Sequence, residues 1–202
     1  MIQTTDKISN GVKNGYTLIE VLAAVGIFTI IIAAPTGFFV GSLKGQLKTL
    51  ASQKLLDNTS YCLEYISRSL RMAKKELSTD PSTACLLEGG TTLYGYNYQI
   101  TRGGNGLKFI NYKDECQEFF LDESDHRLKE SKNGAAPIDL TAEDLEITSL
   151  KFKLSGQSQT DNDQPRVALF LKIKGAKGQK PELQPEIKIQ TTISQRNLDV
   201  PY

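Results

Sequence analysis

Glu20 is the residue whose chemistry most needs a partner. It lies in an apolar run from Tyr16 to Val40, where it is the one formal charge among 25 residues. A run of that length suits a membrane-spanning helix. A carboxylate in such a segment costs about 2.5–3.5 kcal/mol at the helix centre and less near the interface, and it calls for a cationic partner. The other reactive residue types are sparse: one histidine, His126, and three cysteines, Cys62, Cys85 and Cys116. A lone histidine with no CxxC motif does not make a conventional zinc site, and no Ser/His/Asp or Cys/His arrangement can be built around it. P-loop, GxGxxG and HExxH motifs are missing. Nothing in these residues implies a metal or another cofactor, and the chain does not read as an enzyme.

The elements that must position Glu20 follow from composition. The chain has 202 residues, 24 basic and 23 acidic side chains and a net charge of +1. That balance gives no electrostatic reason to expect nucleic acid as a partner. Residues 1–15 are polar. Residues 16–42 form the apolar helix, and residues 43–80 read as its amphipathic continuation. Leu55, Thr59, Cys62, Ile66, Leu70, Ala73 and Leu77 recur there at spacings of three and four, a stripe that needs a surface to cover it. Arg68, Arg71, Lys74 and Lys75 fit the cation-favouring end of a helix, or else a docking patch for a partner, before Ser78-Thr79-Asp80-Pro81-Ser82 stops it. A continuous helix from Tyr16 to Leu77 would span roughly 90 Å, far more than a bilayer requires.

Residues 81–202 are strand-rich. Leu93–Ile100 and Leu107–Tyr112 flank Gly103-Gly104-Asn105-Gly106, a hairpin turn rather than a phosphate cradle. Cys116–Leu121 and Arg127–Glu130 suggest a second pair. Thr141-Ala142-Glu143-Asp144 resembles a short helix start. Ile147–Leu154, Arg166–Ile173 and Ile187–Ile193 alternate as strands. Thr160-Asp161-Asn162-Asp163 lacks the spacing of a calcium loop and reads as a solvated turn. With Cys62 on the helix stripe, the expected bridge is Cys85–Cys116, which needs an oxidising compartment.

Lys13-Asn14-Gly15 followed by Tyr16-Thr17-Leu18-Ile19-Glu20 resembles the leader junction of type IV pilins and type II secretion pseudopilins. The resemblance implies an α+β, pilin-like fold, a long N-terminal helix whose second half packs on a C-terminal antiparallel β-sheet. It implies cleavage between Gly15 and Tyr16 by a prepilin peptidase and N-methylation of Tyr16. Glu20 then pairs with the Tyr16 amine of a neighbouring subunit and sets the register of assembly; a pair within one chain is the competing arrangement. Tyr16 departs from the usual Phe or Met but is aromatic. Ala33, Gly37, Gly41 and Gly45 form a small-residue ridge for close helix packing, and Pro35 is a kink or softening point within it. Glu64-Tyr65-Ile66-Ser67-Arg68 and Ser194-Gln195-Arg196-Asn197 resemble J-type or W-type minor pilins.

The implied partners are the peptidase, other pilin or pseudopilin subunits, the membrane platform of an assembly machine, and the lipid bilayer before assembly. Lys7 and Lys13 precede the span while Lys44, Lys48 and Lys54 follow it, so charge counting does not orient the chain. The resemblance and the cysteines place the globular domain outside the cytoplasm. Two other functions remain open: an anchored extracytoplasmic binding module, and a membrane-anchored hydrolase using carboxylates.

Overall fold

The structure is a computed structural model that describes residues 15–157, 163–175, 178, 180, 181 and 184–196. The chain divides into two compact units, Met1–Gly45 and Gln46–Tyr202. A single helix, α1 (Leu18–Arg71), contributes to both.

In the first unit α1 is apolar on every side, and each of its residues whose burial is described is exposed. It passes without interruption through Pro35, although proline cannot donate the usual i to i−4 hydrogen bond. Thr29 and Thr36 satisfy their hydroxyls inside this stretch by bonding back, Thr29 Oγ1 to Gly26 O at 2.8 Å and Thr36 Oγ1 to Ile32 O at 2.9 Å. Such back-bonds let hydroxyls sit in an apolar helix at little cost.

In the second unit the stripe on α1 is buried from Leu55 through Thr59, Cys62, Ile66 and Leu70. Two antiparallel sheets supply its partner surface, where the sequence suggested one. The first has the order β3 (Tyr98–Thr101), β4 (Gly106–Ile110), β5 (Cys116–Asp122), β6 (Arg127–Lys132), β7 (Ile138–Asp139). The second has the order β10 (Glu186–Ser194), β9 (Arg166–Lys174), β8 (Glu146–Ser155). A short ribbon, β1 (Leu87–Glu88) with β2 (Thr91–Thr92), stands beside them. Strand β9 alternates cleanly, with Val167, Leu169, Leu171 and Ile173 buried. That period of two covers the core on one face and leaves the other to solvent. Phe119 links helix to sheet, edge-on to Tyr65 at 5.9 Å and tilted on Phe109 at 5.6 Å.

The chain departs from its sequence pattern in three places. The helix ends at Arg71, not beyond Leu77, and Leu77 is exposed. Tertiary bonds take over the backbone there: Lys74 N donates to Ile110 O at 2.9 Å and Glu76 N to Tyr96 O at 2.8 Å. Tyr98 Oη caps Leu70 O at 2.6 Å, and Arg196 N caps Arg71 O at 2.8 Å, satisfying carbonyls that a helix end leaves open. Residues 93–97 turn rather than extend, because Glu76 O accepts from Gly95 N at 2.7 Å. Thr141–Asp144 starts no helix. The Thr141 hydroxyl instead accepts from Leu128 N at 3.2 Å, and Asp144 pairs with Lys54 at 2.8 Å.

Glu76 is a buried carboxylate that organises the loop after the helix. It accepts from Ser78 N at 2.9 Å, Cys85 N at 2.7 Å and Leu86 N at 3.0 Å. Three backbone donors compensate its burial. The Cys85–Cys116 disulfide ties the same loop to β5, with Cα atoms 5.4 Å apart. It closes a sequence separation of 31 residues. The chain-entropy model gives about 3–4 kcal/mol for a loop of that size. The Cys85→Ser, Cys116→Ser double variant should therefore show a lower urea midpoint with an equal or steeper slope, because the unbridged denatured chain is less compact; an unchanged midpoint would mean the bridge contributes nothing.

Candidate functional site

The candidate site is the start of α1. Gly15, Tyr16 and Thr17 precede the helix, and Tyr16 is almost fully exposed. Thr17 and Glu20 form a reciprocal capping box. The Glu20 carboxylate accepts from Thr17 N at 2.8 Å and from Thr17 Oγ1 at 2.9 Å, while Glu20 N donates to Thr17 Oγ1 at 3.3 Å. This arrangement satisfies donors that a helix N-terminus otherwise leaves unpaired. It also puts the carboxylate at the positive end of the helix dipole.

Sequence reasoning singled out Glu20 but missed Thr17. The local signal was present: a Thr three residues before a Glu at the head of an apolar run. The scissile bond expected between Gly15 and Tyr16 lies immediately before this box. Residues 1–14 lie outside the described residues.

Further along α1, an added Cβ at Gly37, Gly41 or Gly45 would meet no atom within 4 Å. Contacts within the chain therefore do not require a small residue at these positions. Ala33 lies on the same exposed stretch. The helix is long and apolar enough to cross a membrane.

The remaining reactive residue types sit in structural settings. His126 is exposed at the β5–β6 turn with φ 59°. Its backbone bonds Asp122 O at 2.9 Å and receives Ile147 N at 2.9 Å. Buried Glu130 accepts from Tyr65 Oη at 2.8 Å and pairs with Lys132 at 3.1 Å, joining α1 to β6. Burial and the Glu130 hydrogen bond together push the Tyr65 phenol up. Among the described residues no group of three or more His, Cys, Asp or Glu side chains is placed to hold a metal ion. The loop Thr160–Asp163 lies largely outside the described residues.

The prokaryotic N-terminal methylation motif matches residues 11–34. That span holds the Gly15–Tyr16 pair, the Thr17–Glu20 box and most of the apolar run. The chain thus carries the type of signal found in type IV pilin-like prepilins, which are prepilin-peptidase substrates that assemble with other pilin subunits. Neither the curated proteins nor the solved structures compared with the chain give a match.

Cys62 is buried and donates to Leu140 O at 3.2 Å. Burial pushes its thiol up to about 11. Because the thiolate is the reactive form, native protein should resist alkylation at Cys62 even in mildly alkaline buffer. Denatured protein should take up one alkyl group per chain, read by mass. Rapid native labelling would show that the stripe is open.

Proposed function

We propose that this chain is a minor pilin or pseudopilin subunit, of a type resembling the J and W subunits. It is inserted in the cytoplasmic membrane through α1 as a single-pass protein, with the globular unit outside the cytoplasm. A prepilin peptidase cuts between Gly15 and Tyr16, and the new Tyr16 amine is methylated. The subunit then enters a type IV pilus, a secretion pseudopilus or a competence filament through the platform of the assembly machine. The observation that supports this reading is the match at residues 11–34, a span that includes Gly15, Tyr16 and Glu20 and runs into an exposed apolar helix.

In the assembled form Glu20 pairs with the Tyr16 amine of its neighbour. A buried ion pair is weak evidence for stability but a good register device, because a missing partner leaves an uncompensated charge. Ala33, Gly37, Gly41 and Gly45 provide the close-approach face, and Pro35 a point where α1 can soften. No cofactor is required.

The capping box supports a competing role, in which Glu20 only stabilises the helix end; losing a cap costs about 0.5–2 kcal/mol. Substitutions separate the two. Glu20→Gln keeps a capping-box side chain and removes the charge; Glu20→Ala removes both. Register by charge predicts that both variants are cleaved and both are missing from sheared filaments. If Glu20→Gln assembles at the wild-type level while Glu20→Ala does not, capping is the role of Glu20 and the ion-pair register is wrong.

A further inference from the structure

Every sheet edge presents unpaired backbone groups, and folded proteins blunt such edges. Among the described residues, three of the four edges of the two larger sheets are blunted. Strand β7 has only two residues. Strand β3 is short and partly covered: Gln157 Nε2 donates to Tyr98 O, and the Gln99 side chain reaches out to hold the backbone of Leu87 beside it. Strand β8 carries a register shift between Ile147 and Ser149, and Ile147 N is taken by His126 O at 2.9 Å.

Strand β10 is different. Its ladder with β9 runs unbroken from Glu186↔Lys174 to Ser194↔Arg166. Its nine residues, Glu-Ile-Lys-Ile-Gln-Thr-Thr-Ile-Ser, contain no proline.

At one end Gly175 N donates to Pro185 O at 2.9 Å, and at the other Gln195 N donates to Pro165 O at 3.2 Å. Both pairs share the register of the ladder, so the odd-numbered residues exchange bonds with β9. Lys188, Gln190, Thr192 and Ser194 therefore turn their N–H and C=O groups away from it, and these have no partner among the described residues.

Beside the Ser194 end lies a hollow lined by Arg68 and Arg71 of α1, Thr192, Ser194 and Arg196. Arg68 pairs with Glu64 at 2.7 Å. Arg71 and Arg196 have no acidic partner among the described residues.

We propose that the open edge of β10 takes up an extended acidic segment of another protein as an added strand, with its carboxylates seated on Arg71 and Arg196. Backbone pairing supplies the affinity and the arginines supply the selectivity; guanidinium forks suit carboxylates bidentately. A second copy of this chain fits poorly. The one acid on its β10 is Glu186, which already serves Lys172 at 3.3 Å, Lys174 at 3.9 Å and Lys188 at 3.9 Å. The proposal stands independently of the assembly reading above.

The test uses the full chain in detergent micelles and a blocked synthetic peptide of alternating valine and glutamate. Binding is read by fluorescence anisotropy and by hydrogen exchange. In the free chain the amides of Lys188, Gln190, Thr192 and Ser194 should exchange fast and those of Ile189, Thr191 and Ile193 slowly; the peptide should protect the fast set. Thr192→Pro removes an outward N–H and leaves the β9 ladder intact, so it should abolish binding with the thermal transition retained. Arg71→Glu with Arg196→Glu should weaken binding at least about tenfold. Equal binding of a peptide N-methylated at alternate residues would overturn strand addition. Equal binding of a valine–glutamine peptide would overturn the arginine role. A concentration-dependent dimer protecting the same amides would make a second copy the occupant and overturn the proposal.

Discussion

One helix has to be stable in two surroundings, and the rest of the molecule follows from that. Up to Gly45, α1 is predominantly apolar, and each of its residues whose burial is described is exposed. From Leu55 onward the same helix is amphipathic and buries one stripe. A helix apolar on all sides belongs in lipid or inside a helical assembly, whereas a striped helix belongs on the surface of a globular core. The globular unit is built to hold the second half. Two sheets bracket the stripe, and side chains from distant parts of the chain fix the helix end, with Tyr98 on Leu70 O and Gln195 on Ala73 O.

Glu20 is where the two surroundings conflict most. In this chain its carboxylate is not idle, because Thr17 supplies both a backbone and a hydroxyl donor. That local solution suits a helix end at a water interface, and it is less adequate once neighbouring helices exclude water. Cleavage before Tyr16 would place a cation one turn away. On the proposed reading, the carboxylate that caps the helix here would be released to that cation after processing, whereas a pure capping role would keep it on Thr17.

Elements set by local periodicity were legible. Strands β9 and β10 alternate over nine residues each, and the stripe on α1 names its own buried face. The Cys85–Cys116 pairing could be reached because Cys62 occupies that stripe. What could not be read depends on partners far away in sequence. The helix stops at Arg71 because Ile110 and Tyr96 accept from Lys74 and Glu76. Thr141–Asp144 has the residue types of a helix start, but Leu128 claims the Thr141 hydroxyl. Buried Glu76 resembles any other charge near a helix end until Cys85 and Leu86 arrive to bond it. The division into two sheets, and with it the open edge of β10, is a matter of strand order that alternation does not encode. Thr17 was different: its signal was local and was passed over.

The claim on which the account rests is that Glu20 meets a processed, methylated amine. Intact-mass spectrometry of the protein from membranes of a host with an active prepilin peptidase measures this directly. The account predicts a chain beginning at Tyr16 and heavier by one N-terminal methyl group. A chain that keeps Met1–Gly15, or one cut after the apolar run near Ala34, would contradict it.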